Sequence, residues 1–353
     1  MGRYVYELLG QSRDEADLSW VLFGQDARHP LTHPPHPRLQ VDLFDQRGDR
    51  LHLWEQWGLP RRAQAKAVDL LHCTEGSMTW WQPLPTVITL HDTLMWDEYA
   101  PDAVSRFYWE QLMPAALAKA AAVITISDSS RDDILARWPQ LAPKLTVIPH
   151  GIDPAYFSAE TAPLPATLQN ALGGLPYVAY LGGPLARKRF GWALEVLAAQ
   201  SDPRLKLVAC GFGSKGAEQA AGSVPPALRE RVLFAPFLSD AELLALYKSA
   251  RAVLYPTLYE GFGFPAVEAQ AAGVPVIFSP LGSLKELVGP LSTVVPADDL
   301  PAWAAALDAA VGLPEHARIE RAQKARRWAQ RFQWSESYAR HVEVYGRLIG
   351  QRK

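Results

Sequence analysis

Cysteine is scarce: Cys73 and Cys210 are the only two in 353 residues. Both sit in apolar runs, "LLHCT" and "LVACG", so they are expected as buried reduced thiols of a cytosolic protein. Paired cysteine spacings and the HExxH pattern are lacking too, so no metal site is expected from the nine histidines. Charge of one sign is not in excess: 35 Lys and Arg face 37 Asp and Glu, a formal net charge of -2. That balance excludes nucleic-acid binding driven by a basic surface. No apolar run is long enough to cross a bilayer. The opening "MGRYVYELLG" reads neither as a signal peptide nor as a myristoylation site, since Tyr6 stands where Ser or Thr is needed.

What the chain does have is core material. Hydrophobic residues make up 48% and charged residues 20%, and the length suits two domains. Short β-rich runs recur: 18–25, 38–45, 67–74, 85–92, 121–128 and 144–151, then 176–183, 204–211, 231–238, 251–258, 273–280 and 291–298. Several are continuous apolar stretches ending in Gly, Asp or Ser, as strands buried on both faces of a parallel sheet read. Helical patterns such as "DAELLALYKSA" lie between many of them. Two sets of six strands alternating with helices predict two doubly wound α/β domains. The Pro- and Ala-rich stretch 153–174 reads as a linker with a short helix. The basic run "RIERAQKARRWAQRF" (318–332) reads as the solvated face of a helix.

The stretch "PTLYEGFGFPAVEAQAAGVPVIFSP" (256–280) concentrates chemistry. Glu260 and Glu268 have seven residues between them. "GFGF" lets backbone approach a ligand closely, Pro265 suits the first turn of a helix, and Gly273 suits its end. Glu260 is then in the loop, and Glu268 about one turn, ~5 Å, along the helix. Free N–H groups at the helix start favour an anion beside these acceptors. Such a spot accepts both phosphate and sugar hydroxyls; helix capping by the glutamates is the plainer alternative.

This stretch resembles the E-x7-E motif of retaining glycosyltransferases of family 4. "VITISDSSRDDIL" (123–135), "LTVIPHGID" (145–153), "YLGGPLARKRF" (180–190) and "FQWSESYARHVEVYGRLI" (332–349) are similar to other segments of that family. The resemblance implies the GT-B fold: two facing Rossmann-like, doubly wound domains with the cleft between them. The expected divisions are an acceptor domain 1–157, a nucleotide-sugar donor domain 158–331, and a final helix 332–353 returning to the first domain. It implies that Glu260 contacts sugar hydroxyls with Gly261, Phe262 and Gly263, that Glu268 holds the ribose, and that Lys188 neutralises the diphosphate. Arg187 is adjacent to Lys188 and could share that task. Gly182, Gly183, Gly211 and Gly213 are implied donor contacts. His91, with Asp92 beside it in "LHDTL", is implied at the cleft, although a His-Asp pair at a strand end also suits a turn and cap. Many members carry arginine where this chain has Gly183, so one phosphate-binding charge is missing or comes from Arg187.

The implied function is transfer of a hexose from a nucleotide sugar to a glycan or lipid-linked acceptor, without metal or cofactor. GDP-mannose is the favoured donor and UDP-glucose the next. The setting is polysaccharide biosynthesis in the cytoplasm, with peripheral contact at the inner membrane face as the limit. An epimerase of the same fold and a non-catalytic glycan- or nucleotide-binding member are the rivals. "GFGSKG" (211–216) matches a dinucleotide motif, but it follows the second strand of its set, and the acidic residue expected some way on is missing from "RVLFAPFL". At the start, family members place a strand and a glycine loop before such a helix. Gly2 is then expected as the last loop residue at the cleft, with the strand lying upstream and a break at the centre of the first domain's sheet.

Overall fold

The computed structural model describes residues 2–14, 17–24, 37–44, 53–98, 103–158 and 162–350. The chain divides into two compact units, residues 1–151 with 332–353, and residues 152–331. The break precedes the expected boundary at 157/158. The turn Pro154–Phe157 explains the difference. Its Tyr156 is buried 5.6 Å, edge-on, from the Tyr247 ring of the second unit, and the Ser158 carbonyl accepts a 2.6 Å bond from Lys248 Nζ.

All twelve apolar runs contain a strand. In the first unit these are β1 (Trp20–Gly24), β2 (Leu39–Leu43), β3 (Leu71–Cys73), β4 (Thr86–Thr89), β5 (Ala122–Thr125) and β6 (Leu145–Val147). They form two sheets rather than one: a parallel pair β1-β2, and a parallel sheet in the order β3-β4-β5-β6. β4 and β5 are buried on both faces. On one face Ile88 and Val123 pack with Met113, Leu117 and Ile134. On the other, Val87 and Ile124 meet Val344 of the C-terminal helix Trp334–Gly350. That helix also packs on the helix Gly2–Gln11. Gly151 lies so close to it that a Cβ there would stand 2.1 Å from the Trp334 nitrogen.

The second unit holds β7 (Tyr177–Leu181), β8 (Lys206–Cys210), β9 (Val232–Phe234), β10 (Val253–Tyr255), β11 (Val276–Phe278) and β12 (Ser292–Val294). They make one parallel sheet in the order β12-β11-β10-β7-β8-β9. The first strand is central, and the direction of winding reverses between β7 and β10. Ligands of open α/β sheets bind outside the carboxyl ends of strands at such a switch point. Val178, Leu207, Leu254 and Ile277 lie in one core with Leu197 and Trp303 from flanking helices. Both cysteines are free and buried, and burial pushes the Cys210 thiol up to about 12.

Candidate active site

Two loops leave the strands that flank the switch point. After β7 comes Gly182-Gly183, then a tight turn Ala186–Lys188 and the helix Phe190–Ala199. After β10 comes the Glu260 loop and the helix Phe264–Ala272. The local sequence dictates both shapes. Gly263 has φ 96° at the helix start, Pro265 fills the first turn, and Gly273 closes the helix at φ 81°.

The two loops meet through charge. Lys188 Nζ is ion-paired to Glu260 Oε1, and Arg187 NH1 lies 3.4 Å from Glu260 Oε2. Arg187 NH1 also donates to the Tyr259 carbonyl at 2.7 Å, and its own carbonyl accepts from Leu258 N at 2.9 Å. Lys188 Nζ sits 5.5 Å from the Tyr255 ring. Glu260 is 8% exposed, so the trio is largely withdrawn from water. Electrostatic interactions among such groups are stronger than on an open surface.

Gly183 has no room for a side chain on this backbone. Its φ is 64°, and a Cβ there would stand 2.5 Å from the Gly211 carbonyl oxygen. Gly183 N donates to the Cys210 carbonyl at 3.1 Å, locking the β7 loop to the end of β8. Gly182 is equally confined, since a Cβ would lie 2.5 Å from the Tyr180 hydroxyl. Gly213, at φ 60°, opens the helix Gly213–Ser223 beyond β8. Arg187 thus stands with Lys188 as a second cation of this loop.

Glu268 has different partners. It lies on the helix, 3% exposed, and accepts a 2.9 Å bond from the Tyr247 hydroxyl. Burial, then the neighbouring Glu268 carboxylate, hold the Tyr247 phenol far above its ordinary range.

Sequence reasoning missed the residues that brace these loops. The Tyr180 hydroxyl reaches the carbonyls of Gly183 at 3.0 Å and Lys188 at 3.1 Å. Ser283 Oγ reaches the carbonyls of Glu260 at 2.9 Å and Phe262 at 2.7 Å, and Ser283 N donates to the Glu260 carbonyl at 3.2 Å. Ser283 acts across more than twenty residues of sequence, and Tyr180 reads as one more apolar residue of its strand, so no local spacing marks either.

His91, Asp92 and Gly2 belong to the first unit. His91 follows β4, and its Nε2–H donates to the Thr74 carbonyl at 3.0 Å. Burial pushes its imidazole down to about 4, partly opposed by that bond. Ser130, inside the "SDSS" motif, donates to the His91 carbonyl at 2.9 Å. Asp92 Oδ1 accepts from Leu94 N at 3.0 Å and so starts a turn of helix. Gly2 begins the helix Gly2–Gln11.

That helix delivers Tyr4 into a ring of histidines. Burial lowers the pKa of His72, His150 and His341 as well, so they are neutral. The hydrogens of this network can then be assigned from one end. A carbonyl only accepts, so His341 Nδ1–H donates to Ser337 O at 2.7 Å. His341 Nε2 therefore accepts from the Tyr4 hydroxyl at 2.6 Å, and Thr89 Oγ1 donates to Tyr4 at 2.7 Å. Thr89 must then accept from His72 Nε2–H at 2.9 Å, leaving His72 Nδ1 to accept from Tyr345 at 2.7 Å. One directed chain ties both helices to β3 and β4.

Among the described residues no group of three His, Cys, Asp or Glu is placed to hold a metal ion, and no helix is long and apolar enough to cross a membrane.

Two parallel α/β units, the second doubly wound with cations, a carboxylate and glycine loops at its switch point, are the architecture of the GT-B class of α/β proteins. Comparisons with known proteins carry this further. The family model "Glycosyltransferase Family 4" matches residues 1–156, and "Glycosyl transferases group 1" matches residues 170–328. The chain belongs to glycosyltransferase family 4. It is 30% identical over 226 residues to the O-antigen chain mannosyltransferase B of Escherichia coli, covering 62% of this chain and 59% of that one. It is 28% identical over 283 residues to the MMP alpha-(1→4)-mannosyltransferase of Mycolicibacterium hassiacum, covering 76% and 66%. The matched stretches thus span about three-fifths to two-thirds of these relatives. Among solved structures, the sucrose-phosphate synthase of Thermosynechococcus elongatus superposes with a TM-score of 0.75 at 25% identity, covering 97% of this chain and 92% of that one.

Proposed function

We propose that this chain is a retaining hexosyltransferase that moves mannose from GDP-mannose to a glycan or lipid-linked acceptor. The observation that carries the reading is the cluster of Lys188, Arg187 and Glu260 at the switch point of the second unit. A diphosphate leaving group develops negative charge as the glycosidic bond stretches. Preorganised cations and N–H dipoles aimed at it lower that barrier. Lys188 and Arg187 supply the cations, and the backbone around Gly182, Gly183, Gly211 and Gly213 supplies close approach. Glu260 accepts from sugar hydroxyls and orients the ring as it flattens towards an oxocarbenium ion. Glu268, held by Tyr247, accepts from the ribose. No protein nucleophile is required: the departing phosphate oxygen takes the acceptor's proton on the same face, so the anomeric configuration is retained. His91 positions donor sugar and acceptor. The reaction needs no metal, and the protein works in the cytoplasm in polysaccharide synthesis. The mannosyltransferases among the relatives favour mannose over glucose.

The test is turnover of GDP-mannose and UDP-glucose, with and without mannose-terminated acceptors, in the presence of a chelator. The expected product is an α-mannoside made only with acceptor. Transfer from UDP-glucose alone would replace the donor. Free nucleotide released without any acceptor would favour the epimerase, and no turnover of any sugar nucleotide would favour a binding protein.

A further inference from the structure

The first unit carries a second chemically distinctive place, at the opposite end of its sheet from His91. A recess of about 410 Å³ is lined by Trp80, Trp81, Gln82, Leu84, Pro85, Thr86, Lys119 and Ala121. Pro85 and Thr86 stand at the start of β4, and Lys119 and Ala121 just before β5. The backbone closes there: Leu71 N donates to Pro85 O at 3.0 Å and Ala121 N to Thr86 O at 2.8 Å. From Thr86 to His91 the strand advances roughly 16 Å. The recess is therefore separate from the carboxyl-end site.

Its surface joins aromatic rings to cations. Lys119 Nζ lies 3.3 Å from the Trp80 ring centroid. The Arg61 guanidinium lies 5.8 Å from the Trp57 ring and 5.7 Å from the Trp81 ring, which are themselves 5.8 Å apart. Trp57 is 48% and Trp80 40% exposed, far more than apolar packing explains for the largest side chain. Neither Lys119 nor Arg61 has an ion-pair partner among the described residues. Cations resting on indole faces keep their remaining N–H donors available to an anion.

Which ligand matches rings and unmatched cations together? Pyranose rings present flat C–H faces to indoles, and carboxylated sugars add negative charge at regular intervals. A bilayer surface also pairs tryptophan with basic residues. Here, however, the basic heads lie over the rings instead of reaching past them, and polar Gln82 and Thr86 line the same recess. We propose that the Trp57–Arg61–Trp81–Trp80–Lys119 surface is a binding site for acidic oligosaccharide, distinct from the donor site. It goes beyond the transferase reading and stands without it, because it concerns binding at the other end of the sheet.

The experiment is calorimetric titration of the full chain with tetragalacturonate and, for comparison, neutral mannotetraose. The acidic oligosaccharide is expected to bind and the neutral one to bind at least about tenfold more weakly. Lys119→Gln and Arg61→Gln, both at exposed positions, are each expected to weaken tetragalacturonate about tenfold, the scale of one lost cation contact. Trp80→Leu is expected to weaken both sugars. Glu260→Ala is expected to leave this binding unchanged even if it abolishes transfer, which keeps the two readings apart. Thermal unfolding checks that each variant is folded; Arg61→Gln alone suffices if another variant is not. Absence of heat with tetragalacturonate, or equal binding by wild type and the glutamine variants, overturns the proposal. Cosedimentation with phosphatidylglycerol vesicles that is lost in both glutamine variants, without oligosaccharide binding, would replace it by a membrane surface.

Discussion

The two units solve the same burial problem with opposite chemistry. The second closes its six strands into one sheet and gathers formal charge at the switch point, with Glu260 between Lys188 and Arg187. The first leaves its six strands in two sheets and fills the neighbourhood of His91 with neutral groups: His72, His341, Tyr4 and Thr89 in directed hydrogen bonds, and the His150 ring 5.4 Å from that of His91. A charged trio suits binding and stabilising a charged group. A neutral imidazole–hydroxyl chain suits holding helices in place, since each buried group is satisfied without a counter-ion. The contrast teaches that clustered charge and structural polarity can be told apart by what each group is paired with.

The sharpest way to break the comparison is to remove the shared carboxylate. Glu260→Ala is expected to lower turnover by roughly a hundredfold or more, with a smaller change in donor affinity, because its hydroxyl contacts count most as the sugar distorts. Near-native turnover in steady-state kinetics would remove Glu260 from the mechanism. Glu268→Ala is expected to show the reverse split, weaker nucleotide binding with turnover less affected.

Acid should separate the units next. His91 and His341 are each pushed down to about 4 by burial, from an ordinary 6.5. Their folded values lie below their unfolded ones, so the unfolded chain takes protons more readily. Stability from this source is complete above pH 6.5 and is lost as pH falls through 4. The loss belongs to the first unit; the one histidine of the second, His316, is exposed. Amide exchange from pH 7 to pH 4 should show protection falling first in the helix Trp334–Gly350 and in β3 and β4. Uniform loss across both units would contradict the assignment.

Smaller effects test the loops. Gly183→Ala combines a positive φ with a 2.5 Å approach to the Gly211 carbonyl and is expected to cost about 1–3 kcal/mol. Gly191→Ala, in the adjacent helix with nothing within 4 Å, is expected to stabilise by about 0.5–1 kcal/mol. Tyr247→Phe leaves the buried Glu268 short of a donor, at about 1–3 kcal/mol. Thermal melts rank the three; equal melting temperatures for the two glycine variants would mean that the β7 loop relaxes freely.

Strand positions were legible because the strands are short β-rich runs, several of them continuously apolar and closed by Gly, Asp or Ser, and all twelve runs hold one. The Glu260 loop was legible for the same local reason: Gly263, Pro265 and Gly273 each mark a fixed backbone need. What local pattern does not carry is long-range pairing. Ser283 braces Glu260 from 23 residues away, and Tyr4 meets His341 across 337. The π-helical turns Trp54–Gly58 and Tyr108–Leu112 likewise have no period of their own in the sequence. The break between the units at 151/152 rests on burial of Tyr156 against Tyr247, a tertiary contact that no local pattern marks.

Lys188 and Arg187 are expected to meet a diphosphate in the second unit. Calorimetric titration of GDP and guanosine into wild type and Lys188→Ala tests it most directly, with UDP and uridine as the second pair. The substitution is expected to weaken the diphosphate by about tenfold or more and the nucleoside hardly at all, because a charge-assisted contact to phosphate is lost. Equal weakening of diphosphate and nucleoside, or none, would contradict it.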